Sequence, residues 1–314
     1  MSARIDRPGV YPDLAEADYH ADPCPEPSLS VSVAKVLLDQ SPLHAWAMHP
    51  RLNPAAEVED PSAGMNIGSA VHAALLGKGA DVVAIDAADF RTKAAREARD
   101  AAIADGRIPL IAEHAERVYL IAGAIREQLS RHEAAYAFVA GYGHAEVTLI
   151  NRERSGVWLR HRVDWLPADA LEPLYDLKTT ALSANPDQWS RQLFSMGYDL
   201  QAALYTRTEQ RLRGGARRPM RFVVAEIEPP YGVSVLQLDP AALALADRKA
   251  DAALALWHRC TTTGRWPGYP ARVCHVEAPP WMETRWAERE IREHADAKAL
   301  AAAMNMHRPI GVSL

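Results

Sequence analysis

The sequence of 314 residues predicts an α/β fold in which a central mixed β-sheet is flanked by helices, preceded by an N-terminal helical region. Three observations support this prediction. Polar and apolar residues alternate over 145–151 and 157–165, as in an antiparallel meander. A mostly apolar run over 173–178 is typical of a more buried strand. Segments with helical spacing lie on both sides of these strands.

The elements before the strands are expected to be helical after an irregular start. Residues 1–28 are rich in Pro, Asp and Glu, which predicts an extended arm with turns rather than a packed element. Ser30 or Ser32 can cap the first helix. A loop is expected over 51–62. The expected helices are 33–38, a short helix that starts at Ser41-Pro42, 67–76, 92–105 and 112–134.

After the meander, whose turn is predicted at 154–156, helices and a hairpin complete the domain. The expected elements are helices from Asn185-Pro186 to Gly197 and over 200–213, a hairpin of 221–228 and 232–238, and a helix from Asp239-Pro240 to about Thr261. The predicted organisation is an arm (1–28), one domain (29–270, with a helical layer 29–140 and a catalytic core 141–270) and a peripheral segment (271–314).

Composition limits the class of protein. With 48% apolar and 24% charged residues and no apolar run of membrane-spanning length, we expect a cytoplasmic protein without a membrane partner. The three cysteines are too few and too scattered for a disulfide framework or a four-cysteine iron–sulfur cluster. The formal net charge of −5 argues against a generally basic surface that coats nucleic acid.

Arginines nevertheless cluster in two places, which predicts either local contacts with a phosphate backbone or solvated helix faces and loops. The first group is Arg152, Arg154, Arg160 and Arg162, and the second is Arg207, Arg211, Arg213, Arg217, Arg218 and Arg221.

The run Asp176-Leu177-Lys178 is the strongest chemical signal, with Asp164 on what is predicted to be a partner strand. Two carboxylates that converge on one spot repel each other unless a cation lies between them. Oxygen ligands favour Mg²⁺ or Mn²⁺. Lys178 points to the same face as Asp176 and can position or polarise a water. The pattern therefore predicts metal-assisted phosphodiester hydrolysis.

Five motifs in order resemble those of the PD-(D/E)XK nuclease superfamily, and more narrowly those of RecE-type exonucleases (exodeoxyribonuclease VIII) among the RecB-like nucleases. They are Gly68-Ser69-Ala70-Val71-His72, Glu146, Arg162-Val163-Asp164, Asp176-Leu177-Lys178-Thr179-Thr180 and Gln201-Ala202-Ala203-Leu204-Tyr205. The resemblance extends over about residues 8–260 and implies a restriction-endonuclease-like core.

The resemblance implies specific roles for these residues. Asp164, Asp176, His72 and the backbone carbonyl of Leu177 would hold the metal, and Glu146 would contact it through water. A histidine ligand would shift the preference toward Mn²⁺. Lys178 would assist the attacking water, while Gln201 and Tyr205 would contact DNA or support the lysine.

The residues alone also allow plainer interpretations. His72 can be a core histidine, and Glu146 a surface carboxylate. Asp164 can form a salt bridge with Arg162, and Lys178 one with Asp164 or Asp176. Further DNA contacts are expected from Arg160, Arg162, Ser30, Ser32 and Lys35, although capping alone also explains the serines.

The function that the resemblance implies is a Mg²⁺- or Mn²⁺-dependent exonuclease acting 5′→3′ on double-stranded DNA ends. It would leave 3′ single-stranded overhangs for recombination, with a single-strand annealing protein as partner. A homo-oligomeric ring is a further expectation. The alternatives are an endonuclease or repair nuclease of the same fold, and a non-catalytic DNA-binding module.

Overall fold

A six-stranded mixed sheet is the centre of the fold in the computed structural model, which describes residues 4–56, 67–78, 81–138 and 142–306. The strands are β1 (Gly9–Tyr11), β2 (Val82–Ile85), β3 (Ile108–Ile111), β4 (Gly143–Arg152), β5 (Trp158–Pro167), β6 (Leu174–Thr180), β7 (Met220–Glu226) and β8 (Val233–Gln237). The central sheet has the order β1-β4-β5-β6-β7-β8, and β2 and β3 form a separate parallel pair.

The helices are α1 (Glu16–His20), α2 (Val31–Asp39), α3 (Pro42–Met48), α4 (Ile67–Leu76), α5 (Lys93–Ala104), α6 (Ala112–Ser130), α7 (Pro186–Ser195), α8 (Tyr198–Arg213), α9 (Pro240–Thr263) and α10 (Pro280–Met306). By its contacts the chain divides into two units, Met1–Gly268 and Tyr269–Leu314, and α10 lies in the second. The domain limits predicted from the sequence stay predictions.

The central sheet is mixed because one of its neighbouring pairs is parallel. Strands β6 and β7 run parallel, from the pair Leu174↔Met220 to the pair Thr180↔Glu226. The other neighbouring pairs are antiparallel. A parallel pair needs a crossover, and the chain between β6 and β7 supplies it as α7 and α8.

Helices cover both faces of the sheet. On one face, Val71 of α4 and Val118 and Ile121 of α6 belong to a buried cluster with Trp165 and Tyr175. On the other face, Ala202 and Tyr205 of α8 pack with residues of β4, β6 and β7. Helices α2 and α9 pack behind α8 in a further cluster that contains Trp257. The predicted α/β sandwich, a mixed sheet flanked by helices, is confirmed.

Helix starts follow the capping residues predicted from the sequence. The side chains of Ser30, Ser41 and Asp239 accept hydrogen bonds from backbone N–H groups in the first turns of α2, α3 and α9. Pro42 and Pro240 occupy first helical positions, where a missing N–H is harmless. The tight turn before α8 uses Gly197 at φ 73°, a conformation that side chains disfavour.

The prediction of an unpacked arm at the N-terminus is wrong. Residues 9–11 pair with β4, and Ile5 and Cys24 are buried. Asp22, which is 4% exposed, accepts hydrogen bonds from the Ser28 backbone and hydroxyl groups at 2.8 and 2.7 Å. A buried carboxylate needs such partners, and Arg160 of β5 supplies a cation at 3.4 Å.

One feature of the fold was not predicted, and one predicted loop lies partly outside the described residues. The short strands β2 and β3 were not expected, because each is only four residues long and gives little alternation. Part of the loop predicted over 51–62 lies outside the described residues, since 57–66 are not among them. Within the described ranges, no helix combines the length and apolar character needed to span a bilayer.

Candidate active site

Strands β5 and β6 share a single residue pair, and the unpaired stretch beside this pair is a gap in the hydrogen-bond ladder at the centre of the sheet. Their register contains the pair Trp165↔Tyr175, whereas β4 and β5 pair almost along their full lengths. Asp164 lies directly before Trp165, and Asp176 directly after Tyr175. Because the strands are antiparallel, this register places both predicted acidic residues on the same side of the pair, beside the gap.

The carboxylate of Asp164 accepts a hydrogen bond from a backbone N–H group of the neighbouring strand β6. Its Oδ2 accepts a hydrogen bond from the Leu177 N–H at 2.8 Å and lies 3.0 Å from His72 Nε2. The alternative in which Asp164 pairs with Arg162 is wrong, because Arg162 Nε donates to Glu146 at 2.6 Å. The Leu177 carbonyl stays a predicted ligand.

A candidate cation site lies next to Asp164. Among the residues that the structure describes, the His, Cys, Asp and Glu side chains grouped to hold one ion are His72, Glu146 and Asp164, whose ligand atoms lie within 4.8 Å of one another. Imidazole nitrogen and carboxylate oxygen suit Mn²⁺ and, for the carboxylates, Mg²⁺. Glu146 belongs to this group, and its predicted contact with the metal through water stays a prediction.

Glu146 reaches the site through an unusual backbone conformation. Its φ of 54° lies in the left-handed region, which a side chain other than glycine rarely adopts. Ala145 packs in the cluster with α6 and Val147 in the cluster with α8, and their partners on β5, Trp165 and Val163, divide between the same two clusters. Such strain is found where the surrounding structure holds a functional side chain in place.

Asp176 and Lys178 form a buried ion pair on the side of the gap that faces α8. Lys178 Nζ lies 2.6 Å from Asp176 Oδ2. At this distance the ammonium and the carboxylate form a charge-assisted contact. The other oxygen, Oδ1, accepts from the Gln201 side-chain amide. Asp176 is not part of the cation group described above, and its role as a metal ligand stays a prediction.

The charges in the site perturb one another. Burial and the nearby charge of Asp164 raise the pKa of Asp176 to about 6. Burial acts in the same direction on Asp164, but the hydrogen bond and charge of His72 outweigh it and lower the pKa of that carboxyl. Burial disfavours the Lys178 ammonium, yet the charges of Asp176 and Asp164 outweigh it and raise its pKa. Lys178 is therefore a cation at neutral pH and not a general base.

Tyr205 supports β5 and does not face solvent. It is 7% exposed, its ring lies 4.8 Å from that of His161, and its hydroxyl is hydrogen-bonded to the Arg162 backbone. Gln201, also 7% exposed, binds Asp176. Burial argues against the DNA contacts predicted for these two residues, which stay predictions; the alternative, support of the Asp176–Lys178 pair, fits Gln201.

Arg160 is not a DNA contact. It is 4% exposed and donates to the carbonyl and hydroxyl of Ser28 at 3.1 and 2.8 Å. Arg162 is similarly engaged by Glu146 and by the Leu14 carbonyl, at 3.3 Å. Burial and internal partners contradict the phosphate contact predicted for Arg160, while the one predicted for the partly exposed Arg162 stays a prediction.

The phosphate contacts predicted for Ser30, Ser32 and Lys35 at the start of α2 have different outcomes. Ser30 is buried and caps α2, so its predicted phosphate contact is wrong. Ser32 is exposed and its hydroxyl lies 3.0 Å from that of Ser30, while Lys35 is half-buried. DNA contacts by Ser32 and Lys35 stay predictions.

The second arginine cluster does not form an uncompensated positive surface. Its members have acidic partners or, for Arg221, the Ala134 carbonyl at 2.7 Å. The ion pairs are Arg207 with Asp247 and Asp251, Arg211 with Glu153, Arg213 and Arg218 with Glu209, and Arg217 with Asp247.

The sequence matches the family described as a PDDEXK-like domain of unknown function (DUF3799) over residues 30–278. The chain belongs to this family. The predicted membership of the PD-(D/E)XK superfamily is thereby confirmed, and the RecE-type assignment within it stays a prediction. No protein with a curated description matches this DUF3799 chain.

A solved structure shares the fold of this DUF3799 domain. A crystal structure of a "putative exonuclease" from Eubacterium rectale aligns with a TM-score of 0.51 and 16% identity, covering 81% of this chain and 90% of that chain. At that identity the likeness shows the fold alone. The structure of SSO0001 aligns with a TM-score of 0.26 and 12% identity over 66% of this chain and 98% of that chain, which carries no argument.

Cation binding to this DUF3799 domain is expected to strengthen with rising pH. The Asp164 contact outweighs burial and raises the pKa of His72, whose ring must lose its proton to bind an ion through nitrogen. The carboxyl of Asp176, with a pKa of about 6, is ionised only above that pH. Titration calorimetry with Mn²⁺ at about pH 6, 7 and 8, in two buffers of different ionisation enthalpy, should show proton release. An affinity independent of pH would contradict this linkage.

Proposed function

We propose that the protein is a nuclease that hydrolyses DNA phosphodiester bonds with a divalent cation. The observation that carries the proposal is the gap between β5 and β6, where His72, Glu146 and Asp164 converge and the Asp176–Lys178 pair lies beside them. The finer proposal, from the resemblance of the motifs, is 5′→3′ exonuclease activity on double-stranded ends that leaves 3′ overhangs for recombination.

The donor set fits a cation. Two carboxylates and one imidazole offer ligand atoms within 4.8 Å of one another, and the buried carboxylate of Asp176, whose Oδ2 lies 2.6 Å from Lys178 Nζ, adds a further oxygen donor. Mg²⁺ or Mn²⁺ bound there would supply Lewis-acid activation of water and neutralise phosphate charge. The residues that would hold it are His72, Glu146 and Asp164, with Asp176 as a further ligand.

The chain's own groups have separate tasks. Lys178, a cation at neutral pH, stabilises the negative charge that develops at the phosphate. Gln201 fixes Asp176 by donating to Oδ1, and this leaves Oδ2 directed at the lysine. Arg162 holds Glu146 in its strained conformation through the 2.6 Å contact. The protein contributes placement and charge, as expected for phosphoryl chemistry.

The cellular setting belongs to the same proposal. We propose a cytoplasmic enzyme that acts on double-stranded DNA ends, together with a single-strand annealing protein that uses the overhang. A homo-oligomeric ring would allow a chain of net charge −5 to turn selected basic surface toward DNA. These points are supported by the resemblance of the motifs.

A nuclease assay on matched linear and closed-circular duplexes tests the proposal. With Mg²⁺ or Mn²⁺, linear duplex is expected to be degraded from the 5′ end and circles to persist; chelator should stop the reaction. Separate 5′ and 3′ end labels report polarity. Rapid loss of circles would favour an endonuclease, and DNA binding without cleavage would favour a non-catalytic module.

A further inference from the structure

The side chain of Tyr198 lies against the lysine of the Asp176–Lys178 pair. Lys178 Nζ is 4.4 Å from the centroid of the Tyr198 ring, well within the range of a cation–π contact. The same nitrogen is 2.6 Å from Asp176 Oδ2. The ammonium is therefore held by a carboxylate and by the face of an aromatic ring.

Other aromatic side chains fix the orientation of that ring. Trp189 stacks on Tyr198, with ring centroids 6.2 Å apart and an interplanar angle of 9°. Phe222 lies 5.8 Å away at 30°. Trp189 and Phe222 are buried, and the indole N–H of Trp189 donates to the Ser183 carbonyl at 3.1 Å. The face that Tyr198 offers to the lysine is thus already ordered by packing.

The first turn of α8 contacts both members of the ion pair. Tyr198 is the first residue of that helix and Gln201 lies three positions later, so the two side chains are neighbours on one helix face. Tyr198 contacts Lys178, and Gln201 donates to Asp176. Gly197 sets the start of the turn at φ 73°, and a Cβ there would lie 3.0 Å from Lys35 Cδ.

We propose that Tyr198 is a positioning residue for Lys178, an inference that rests on the proposed nuclease function. A divalent cation bound to Asp176 would compete with Lys178 for the same oxygen. The ring face offers the ammonium a second contact that does not depend on that oxygen. Tyr198 therefore keeps Lys178 beside the site when the carboxylate is engaged elsewhere.

Kinetics of Tyr198 variants test this role. Tyr198→Leu removes the ring face and should lower kcat by about 3- to 30-fold with little change in KM. Tyr198→Phe keeps the face and should stay within about 2-fold of the parent. In a Lys178→Ala background, Tyr198→Leu should cause no further loss. Tyr142→Leu, at an exposed tyrosine, is the matched control.

Three kinetic results would overturn the inference. One is a loss in Tyr198→Phe as large as in Tyr198→Leu, which would point to the hydroxyl group. Another is an undiminished effect of Tyr198→Leu when Lys178 is already alanine, which would indicate a general structural role. Full activity of Tyr198→Leu would overturn it as well.

A spectroscopic readout separates this inference from the proposed function. The chain has six lysines, so ¹³C-dimethyl-lysine NMR spectra should be resolvable. The Lys178 signal is assigned by its loss in Lys178→Arg, and the Tyr198 ring should shift it upfield of the other lysine signals. In Tyr198→Leu it should move back toward those signals. In Tyr198→Phe it should keep the chemical shift that it has in the parent protein. An unshifted signal overturns the positioning role. A shifted signal in a protein without nuclease activity rejects the function and leaves the contact intact.

Discussion

Asp164→Asn protein is expected to lose at least about 1,000-fold in nuclease activity while keeping nearly the stability of the parent. The substitution removes the charge that faces His72 and the cation group. Asparagine Oδ1 can still accept the hydrogen bond that the Leu177 N–H donates at 2.8 Å. Activity on linear duplex and the denaturant midpoint of unfolding are the two measurements.

Asp164→Ala separates the two roles of this side chain. It should lose the same activity and, in addition, about 1–3 kcal/mol of unfolding free energy, because the Leu177 N–H loses its acceptor. Asp100→Asn, at an exposed helix position, is the matched control. Activity of Asp164→Asn within tenfold of the parent would remove Asp164 from the site.

Lys178→Ala protein is expected to lose about 100- to 1,000-fold in kcat, because a fixed positive charge beside the reacting phosphate is removed. Affinity for Mn²⁺ at about pH 8 should not fall with it. Lys178 Nζ occupies a position 2.6 Å from Asp176 Oδ2, and its removal frees that oxygen. The lysine charge also lowers the pKa of Asp176. The Mn²⁺ affinities of the parent and of Lys178→Ala are therefore compared at a pH well above the Asp176 pKa of about 6.

Lys178→Met keeps most of the aliphatic stem and should match the alanine variant, while Lys93→Ala at an exposed position should behave as the parent. A parallel loss of Mn²⁺ affinity and of kcat would mean that Lys178 organises the cation group and does not act on the phosphate. Unchanged kcat would exclude the proposed role.

The strands that carry the site were predictable because their signals are local. Alternation predicted the β4–β5 hairpin, and the apolar flanks of Asp176 predicted a buried strand. Capping residues predicted the starts of α2, α3 and α9. The pairing of β1 with β4 was not predictable, since only three residues take part and their partners lie about 140 positions away.

The missed features of the site depend on contacts between distant residues. Arg160 lies in a local cluster of arginines, which is a common pattern in phosphate-binding proteins. Its partners Asp22 and Ser28, however, lie more than 130 positions earlier in the sequence. The left-handed conformation of Glu146 leaves no local signal. Tyr198 had one weak signal, an aromatic residue three positions before Gln201 on the same helix.

The single residue pair between β5 and β6 makes the central sheet two ribbons of three strands, β1-β4-β5 and β6-β7-β8, joined at Trp165↔Tyr175. Asp164 belongs to one ribbon and Asp176 to the other. A small rotation of one ribbon against the other changes the separation of the two carboxylates without breaking the hydrogen bonds within either. We therefore expect mutations at Trp165 or Tyr175 to alter the selectivity between Mg²⁺ and Mn²⁺ without changing a proposed ligand.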